Sequence, residues 1–282
     1  MAEKAQPGSG APDVSSSVPN SFLRRILTRA SIAFYKNRRK RNGSVLFLSP
    51  RICVKYGPTV HVAEAVAMKY IATHTSIPVP KVYCAFERNG ISYIVMSTMP
   101  GKTVADVWSN MSDRSQIKVL DQLRKYVDEM RELDPPRPHC VEGTFGGQLF
   151  DPKLPEARQG YGPFPTLRKF HSYLRLGMDR HSPNCEEVND LMDWHEKECD
   201  DYATCFTHGD LCSSNILVSG GNISGIVDWE SAGWLPEYWE YTSAWNVNMF
   251  NVFWRFELER FLHVYEDERE MEHIRLKHFA NP

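Results

Sequence analysis

The sequence lacks a strong net charge, a long apolar run and a regular cysteine pattern. Its 33 Lys and Arg nearly balance 35 Asp and Glu, with a formal net charge of -2, so neither a nucleic-acid nor a membrane partner is expected. No apolar run approaches the roughly 20 residues that a membrane span needs. The seven cysteines show no CxxC spacing, so neither a disulfide framework nor a zinc knuckle is indicated. A reducing, cytoplasmic compartment is the simplest location.

The first twenty residues also lack the apolar core of a signal peptide. Their Pro, Gly and Ser content predicts a disordered tail over residues 1–20. The whole chain has 282 residues, 42% of them hydrophobic and 12% aromatic. That is enough for one large domain or for two lobes that share a cleft.

Residues 21–99 alternate between helical and strand-like patterns. Helical spacing over residues 21–35 gives an apolar stripe of Phe22, Leu23, Ile26, Leu27 and Ala30. The basic cluster at residues 36–41 favours a solvated turn, with a nuclear-import patch or a phosphate contact as alternatives. Strands are predicted over residues 44–49, 51–56, 82–87 and 91–96, and a helix over residues 59–73. Residues 97–101 look like a hinge.

Beyond this hinge the pattern is mainly helical. Helices are predicted over residues 113–133, 166–176, 185–198 and 236–278, and a loop rich in Gly and Pro over residues 135–165. The sequence thus predicts an α+β fold with a small β-rich N-lobe, residues 21–99, and a larger helical C-lobe, residues 100–282. No internal repeat is visible.

The stretch "THGDLCSSNILVSGGNISGIVDWE", residues 207–230, carries the chemistry. Carboxylates this crowded repel one another unless a cation neutralises them. Asn215 and Asp228 offer the oxygen ligands that Mg²⁺ prefers, and the turn at Gly220 and Gly221 brings them to the same end of a hairpin. Asp210 stays free to orient a hydroxyl and accept its proton. The arrangement favours phosphoryl transfer, in which catalysis is mostly positioning and charge neutralisation.

"HGDLCSSN" followed by "IVDWE" resembles the signature of the aminoglycoside phosphotransferase and choline kinase superfamily, whose members share the protein-kinase fold. Asp210 and Asn215 keep the five-residue spacing of a kinase catalytic loop. Asp228 is followed by Trp229 and Glu230, as is typical of that superfamily. The stretch "SAGWLPEYWEY" is similar to its fungal branch.

The resemblance implies a role for each matching residue. Asp210 would be the catalytic base, His208 would support its loop, and Asn215 and Asp228 would hold Mg²⁺. Lys55 would grip the phosphates of ATP, with GTP as the alternative nucleotide, and Glu64 would hold Lys55. The adenine would meet the hinge backbone and the side chain before it, at Met96, Ser97, Thr98 and Met99. Glu230 is a candidate contact for the substrate, a small molecule with a hydroxyl group.

The sequence also departs from the kinase pattern. No GxGxxG precedes Lys55, so the loop that covers the phosphates is undefined; the nearest loop is "RKRNGS". The small lobe looks one strand short. No long activation segment follows Asp228, which argues against a protein substrate.

Several alternatives stay open. The main rival is a catalytically silent nucleotide-binding module on the same fold. Asp210, Asn215 and Asp228 could be turn and cap residues, Lys55 a solvated strand lysine, and Glu64 an exposed helix acid. Trp234, Tyr238, Trp239 and Tyr241 could bind a cationic substrate, but their spacing favours core positions. Neither the phosphate acceptor nor the oligomeric state can be read from the sequence.

Overall fold

The structure is a computed structural model, and it describes residues 18–154, 160–197, 202–246 and 252–280. The predicted disordered tail therefore falls, for residues 1–17, outside the described residues. Val18, at its described end, is buried in the main core. No helix within the described residues combines the length and the apolar content needed to cross a membrane.

The small lobe is a five-stranded antiparallel sheet with two helices, one before its first strand and one between its third and fourth strands. In chain order its elements are α1 (Phe22–Tyr35), β1 (Arg41–Asn42), β2 (Val45–Phe47), β3 (Ile52–Gly57), α2 (Val62–His74), β4 (Val82–Arg88) and β5 (Ile91–Ser97). The strand order in the sheet is β1-β2-β3-β5-β4.

The expectation of a missing strand was wrong. The overlooked strand is β1, which pairs with β2 through a turn at Gly43. It has only two residues, both polar and exposed, so it lacks the alternation of apolar side chains that reveals a strand in a sequence.

The large lobe is mainly helical, with two three-stranded sheets that hold its loops. Its sheets have the orders β10-β9-β6 and β7-β11-β8. Its elements are β6 (Lys102–Thr103), α3 (Val104–Val107), α4 (Asp113–Arg131), β7 (Glu142–Gly143), α5 (Leu167–Leu174), α6 (Glu186–Lys197), β8 (Thr204–Thr207), β9 (Ile216–Ser219), β10 (Asn222–Ile226), β11 (Gly233–Pro236), α7 (Trp239–Asn246), α8 (Val252–Leu258) and α9 (Glu266–Phe279).

One hydrophobic core runs through both lobes and fixes their contact. Helix α2 is apolar on several sides, and its buried residues Ala65, Met68 and Ile71 share this core with Trp229 of the large lobe. A helix that is apolar all round has no face for solvent, so it packs between layers. The aromatic cluster Trp234, Tyr238, Trp239 and Tyr241 is buried as well, which agrees with the interpretation as core rather than as a cation site.

Candidate active site

A cleft of about 970 Å³ lies between the small sheet and the large lobe. Strand β3 and helix α2 of the small lobe line one side of it. Residues 214–215, 227–228 and 230 of the large lobe line the other side. Its lining includes Asn42, Gly43, Ser44, Lys55, His61, Glu64, Met96, Phe150, Asp151, Ser214, Asn215, Asp228 and Glu230.

Lys55 and Glu64 form a buried ion pair inside the small lobe. Lys55 lies on β3, whose alternation turns it toward α2, and its Nζ is 2.8 Å from Oε2 of Glu64. Glu64 is 1% exposed, so it is not the exposed helix acid considered above. Burial raises the pKa of Glu64 to about 7, although Lys55 opposes that rise.

Lys55 also reaches the large lobe. Its Nζ lies 2.5 Å from Oδ1 of Asp228 and 3.3 Å from Oε2 of Glu230. Burial by itself would lower the pKa of Lys55, but the three surrounding carboxylates raise it above its ordinary value. Lys55 is therefore a cation that links β3 and α2 of the small lobe to Asp228 and Glu230 of the large lobe.

A buried carboxylate holds the backbone of the loop that carries His208, Gly209 and Asp210. Glu240, in α7, accepts the backbone N–H of His208 at 2.6 Å and that of Gly209 at 3.1 Å. Gly209 has φ of +75°, and a Cβ there would come within 2.8 Å of the backbone oxygen of Ser231. Only glycine fits this turn. Sequence reasoning missed Glu240, because a Glu between two core aromatics gives no signal of its partners.

The His208 ring supports the loop in one tautomer. Its Nε2 lies 3.1 Å from the backbone oxygen of Val227, and its Nδ1 faces the backbone N–H of Asp210 at 3.2 Å. These partners require Nε2 to donate and Nδ1 to accept. Burial lowers the pKa of His208 to about 4, so the ring is neutral near pH 7. It links the backbone of Asp210 to Val227, which follows β10 and precedes Asp228.

Asp210 is oriented by Asn215. The side-chain Nδ2 of Asn215 donates to Oδ2 of Asp210 at 2.8 Å and to its backbone oxygen at 2.9 Å. Burial raises the pKa of Asp210, and nearby cationic and amide groups oppose that rise. With its amide nitrogen used in this way, Asn215 has its amide oxygen to offer to a cation.

The hairpin of β9 and β10 brings Asn215 and Asp228 together, as the sequence predicted. Ile216 pairs with Ile226, and the backbone N–H of Val227 donates to the oxygen of Asn215 at 2.9 Å. The next residue, Asp228, has φ of 67° and ψ of 56°. This left-handed conformation costs a non-glycine residue about 1 kcal/mol, and it ends the strand so that the carboxylate faces the cleft.

The charges of the cleft fit a bound cation. Among the described residues, its lining holds one lysine, Lys55, and the four acids Glu64, Asp151, Asp228 and Glu230. The carboxylates of Glu64, Asp228 and Glu230 bring ligand oxygens within 4.8 Å of one another. Crowded carboxylates at this spacing favour either protonation or a metal ion.

Of the four residues predicted to meet adenine, only Met96 is among the described residues that line the cleft. Met96, on β5, lines the cleft and is 7% exposed. The backbone N–H of Ser97 donates to the backbone oxygen of Lys81, and that of Thr98 donates to the backbone oxygen of Arg51. The hydrogen bonding of the sheet thus continues past the end of β5. Met99 packs its side chain on Gly225. Binding of adenine by the hinge backbone therefore stays a prediction.

The loop that was undefined in the sequence lies over the cleft. The turn between β1 and β2 places Asn42, Gly43 and Ser44 in the lining, on the same side as Lys55. Gly43 has φ of +52°, and a Cβ there would meet nothing within 4 Å. A short turn of the sequence "NGS" thus stands where a glycine-rich loop would cover phosphates.

Sequence reasoning missed a second lysine, which lies beside the carboxylate of Asp210. Lys153 comes from the loop after β7, and its Nζ donates to the backbone oxygen of Gly209 at 2.8 Å. It lies 3.5 Å from Oδ1 of Asp210 and 3.9 Å from Oδ1 of Asp151. Burial alone would lower the pKa of Lys153, but the two carboxylates raise it. Its sequence neighbourhood, "DPKLP", has no periodicity that could have indicated this place.

Glu230 lies between two cavities. It lines the main cleft and also a smaller cavity of about 280 Å³, formed by α2 and the loop after β7. That loop reaches the small lobe, where the ring of Phe150 stacks on His61 with centroids 3.8 Å apart. Glu230 thus lies beside Lys55 in the cleft, and it also shares the smaller cavity with the loop after β7.

Comparison with known proteins identifies the family of this chain. Residues 59–275 match the sequence profile of the phosphotransferase enzyme family, APH. The chain belongs to this family. The match confirms the superfamily expected from the catalytic motif; it does not test the fungal branch. A search of curated proteins found no match.

Solved phosphotransferases share the fold. A thermostable mutant of aminoglycoside phosphotransferase APH(4)-Ia, in ternary complex with ADP and hygromycin B, is 16% identical with a TM-score of 0.52, covering 77% of this chain and 75% of its own. The streptomycin–ATP–APH(2")-IIa complex is 11% identical with a TM-score of 0.52, covering 88% and 86%. ADP-bound APH(2'')-Ib is 12% identical with a TM-score of 0.51, covering 87% and 85%. At these identities the likeness establishes the two-lobed, kinase-like fold.

Proposed function

We propose that this phosphotransferase moves the γ-phosphate of ATP to a hydroxyl group of a small molecule. The observation that carries the proposal is the meeting of Lys55, Asn215 and Asp228 at one cleft, together with the hydrogen bond from Asn215 to the carboxylate of Asp210. Membership of the phosphotransferase family and the nucleotides bound by its structural neighbours support it.

The nucleotide would lie under the small sheet. Lys55, held by Glu64, would contact its inner phosphates, and the turn at Gly43 would cover them. Met96 would pack against the base, with the hinge residues Ser97, Thr98 and Met99 beside it. An ammonium group fixed by a buried carboxylate needs little reordering when phosphate oxygens arrive, which is the advantage of a preorganised charge.

Asn215 and Asp228 would hold the magnesium ion that accompanies the nucleotide. Both supply the oxygen ligands that Mg²⁺ prefers. When bound, the ion supplies neutralisation of the charge on the transferred phosphoryl group. The surplus of carboxylates around Lys55 makes a cation necessary here, since ATP adds further negative charge to the cleft.

Asp210 would orient the acceptor hydroxyl and take its proton. As the new oxygen–phosphorus bond forms, the bond from the γ-phosphorus to the bridging oxygen breaks and ADP leaves. Asn215 fixes one carboxylate oxygen of Asp210, while Lys153 lies beside the other. We propose Lys153 as a positioning residue that keeps this carboxylate charged and aimed, despite the burial that raises its pKa.

The acceptor would enter between Glu230 and the loop after β7. Phe150 and Asp151 of this loop line the cleft, its Lys153 contacts Asp210, and Glu230 lines both cavities. Glu230 is therefore the proposed substrate contact on the large lobe. Since ATP is an intracellular nucleotide, we also propose that the protein works in the cytoplasm.

A γ-phosphate transfer screen tests this function. Purified protein with Mg²⁺ and labelled ATP would be offered amino-alcohols, sugars, choline-like amines and aminoglycosides, with Asp210→Asn as the blank and Asp121→Asn, an exposed change on α4, as the matched control. We expect transfer to at least one class by the wild type and the control, and none by the blank. Nucleotide binding without transfer to any hydroxyl class would favour the silent module instead.

A further inference from the structure

Helix α1 turns its apolar stripe toward solvent. The stripe that the sequence places on one face is exposed, with Phe22 at 78% and Leu23 at 64%. At about 100° per residue, the exposed apolar side chains share one continuous face of about 140°. They are Phe22, Leu23, Ile26, Leu27, Ala30, Ala33 and Phe34.

The opposite, more polar side of α1 docks on the small lobe. Arg24 donates from Nη1 to the backbone oxygen of Tyr83, on β4, at 2.7 Å. Thr28 and Ile32 are buried, and Arg25 lies over the ring of Phe86 with its Cζ 5.7 Å from the centroid. These contacts fix the rotation of the helix, so the exposure of the apolar face is a property of the docked helix rather than of a loose one.

The same segment concentrates positive charge. Eight Lys and Arg residues lie between Arg24 and Arg41, and no Asp or Glu occurs between Asp13 and Glu64. Arg29 and Lys36 flank the apolar face, and residues 38–41 continue the basic surface past the end of the helix. Because the whole chain has a net charge of -2, the remainder is net negative, and the small overall charge conceals a strongly basic region.

We propose that α1 and the basic segment after it form a docking surface for an anionic lipid bilayer. An exposed apolar face bordered by Lys and Arg is the pattern of a helix that lies in the membrane interface, with its apolar side chains at the acyl boundary and its cations at anionic headgroups. A second copy of the chain would bring two basic surfaces together and repel. None of residues 22–41 lines the cleft, so this surface is separate from the proposed active site.

This proposal departs from the expectation, drawn from the sequence, that the protein has no membrane partner. That expectation used the net charge of the whole chain, whereas surface binding depends on local charge within about 8–10 Å, the screening distance at physiological salt. A single interfacial helix gives reversible binding, so the protein would exchange between the bilayer and solution.

Vesicle co-sedimentation of the full chain tests the proposal. The probes are vesicles of phosphatidylcholine alone and vesicles with about one third phosphatidylserine, the anionic headgroup meant here. One variant combines Leu23→Ser with Leu27→Ser, and its matched control combines Ile117→Ser with Val264→Ser, two exposed apolar residues elsewhere. A second variant combines Arg29→Gln with Lys36→Gln, and its control combines Arg114→Gln with Lys118→Gln on α4.

We expect binding to the anionic vesicles and little to the neutral ones. The apolar variant should bind at least about tenfold more weakly, and the charge variant about fivefold more weakly for each cation removed, while both controls bind as the wild type does. All variants should keep the unfolding temperature of the wild type, because the replaced side chains are exposed. Binding that is equal for variants and controls, or a dimer that only the apolar variant dissociates, would overturn the proposal.

Discussion

Two lysines, one in each lobe, have unlike surroundings. Lys55, on the small lobe, contacts the three carboxylates of Glu64, Asp228 and Glu230. Lys153, on the large lobe, contacts Asp210 and a backbone oxygen, with Asp151 at 3.9 Å. By formal charge, the cluster around Lys55 has three carboxylates for one lysine, and the cluster around Lys153 has two carboxylates for one lysine.

The difference separates two tasks within one site. A cluster with surplus carboxylates and a fixed ammonium group is suited to a nucleotide that arrives with a divalent cation. A carboxylate that is nearly balanced by one lysine and held by an amide is suited to orient a neutral hydroxyl and accept its proton. We therefore expect changes at Lys55 to alter the use of ATP, and changes around Asp210 to alter the chemical step.

The largest effect is expected from Asp210→Asn. Loss of the base should lower kcat by a factor on the order of 10³, because a base stabilises the transition state more than the bound substrates. Affinity for Mg·ATP, measured by calorimetry, should stay within about twofold of the wild type. Asp121→Asn serves as the control, and a variant at Asp210 with full turnover would remove the assigned role.

Lys55→Met should have the next largest effect and a different kinetic signature. Without the ammonium group, kcat/KM for ATP should fall by a factor on the order of 10², with a raised KM for ATP. Steady-state kinetics at varied ATP measure both parameters, and Lys118→Met at an exposed site of α4 is the matched control. Unchanged kinetics would mean that Lys55 only ties the two lobes together.

Lys153→Met should have the smallest effect of the three, confined to kcat. Loss of one charged contact to Asp210 should lower kcat about tenfold and leave the KM for ATP within about twofold. Without the ammonium group, the pKa of Asp210 should rise further, so the acidic limb of the pH profile of kcat should shift to higher pH. Partial recovery in Lys153→Arg would show that the charge matters. An equal loss of ATP affinity in Lys55→Met and Lys153→Met would contradict the separate roles proposed for the two lysines.

The parts of the fold and of the site that residues close together in the sequence form were the parts that could be predicted. The hairpin that joins Asn215 to Asp228 is local: two apolar strand patterns and a Gly220–Gly221 turn are enough to specify it. The pairing of Lys55 with Glu64 spans only nine residues and followed from the family resemblance. For these elements the sequence-based prediction and the geometry agree.

The missed features depend on tertiary contacts. Lys153 lies 57 positions before Asp210, in a loop without periodicity, and an isolated lysine there is read as solvated. The two-residue strand β1 is defined by its partner β2 rather than by its own side chains. Periodicity correctly predicted the helix and the stripe of α1, but only the packing on β4 shows that the stripe faces outward.

We propose above all that Asn215 and Asp228 hold a divalent ion together with the nucleotide, next to the carboxylate of Asp210. Thermal unfolding of the wild type with ATP, in the presence of either Mg²⁺ or EDTA, tests it most directly. We predict a clear rise of the unfolding temperature with Mg·ATP, little rise with ATP and EDTA, and loss of the difference in Asp228→Ala. Equal shifts in the two buffers for the wild type would contradict the metal site, and with it the proposed arrangement of the cleft.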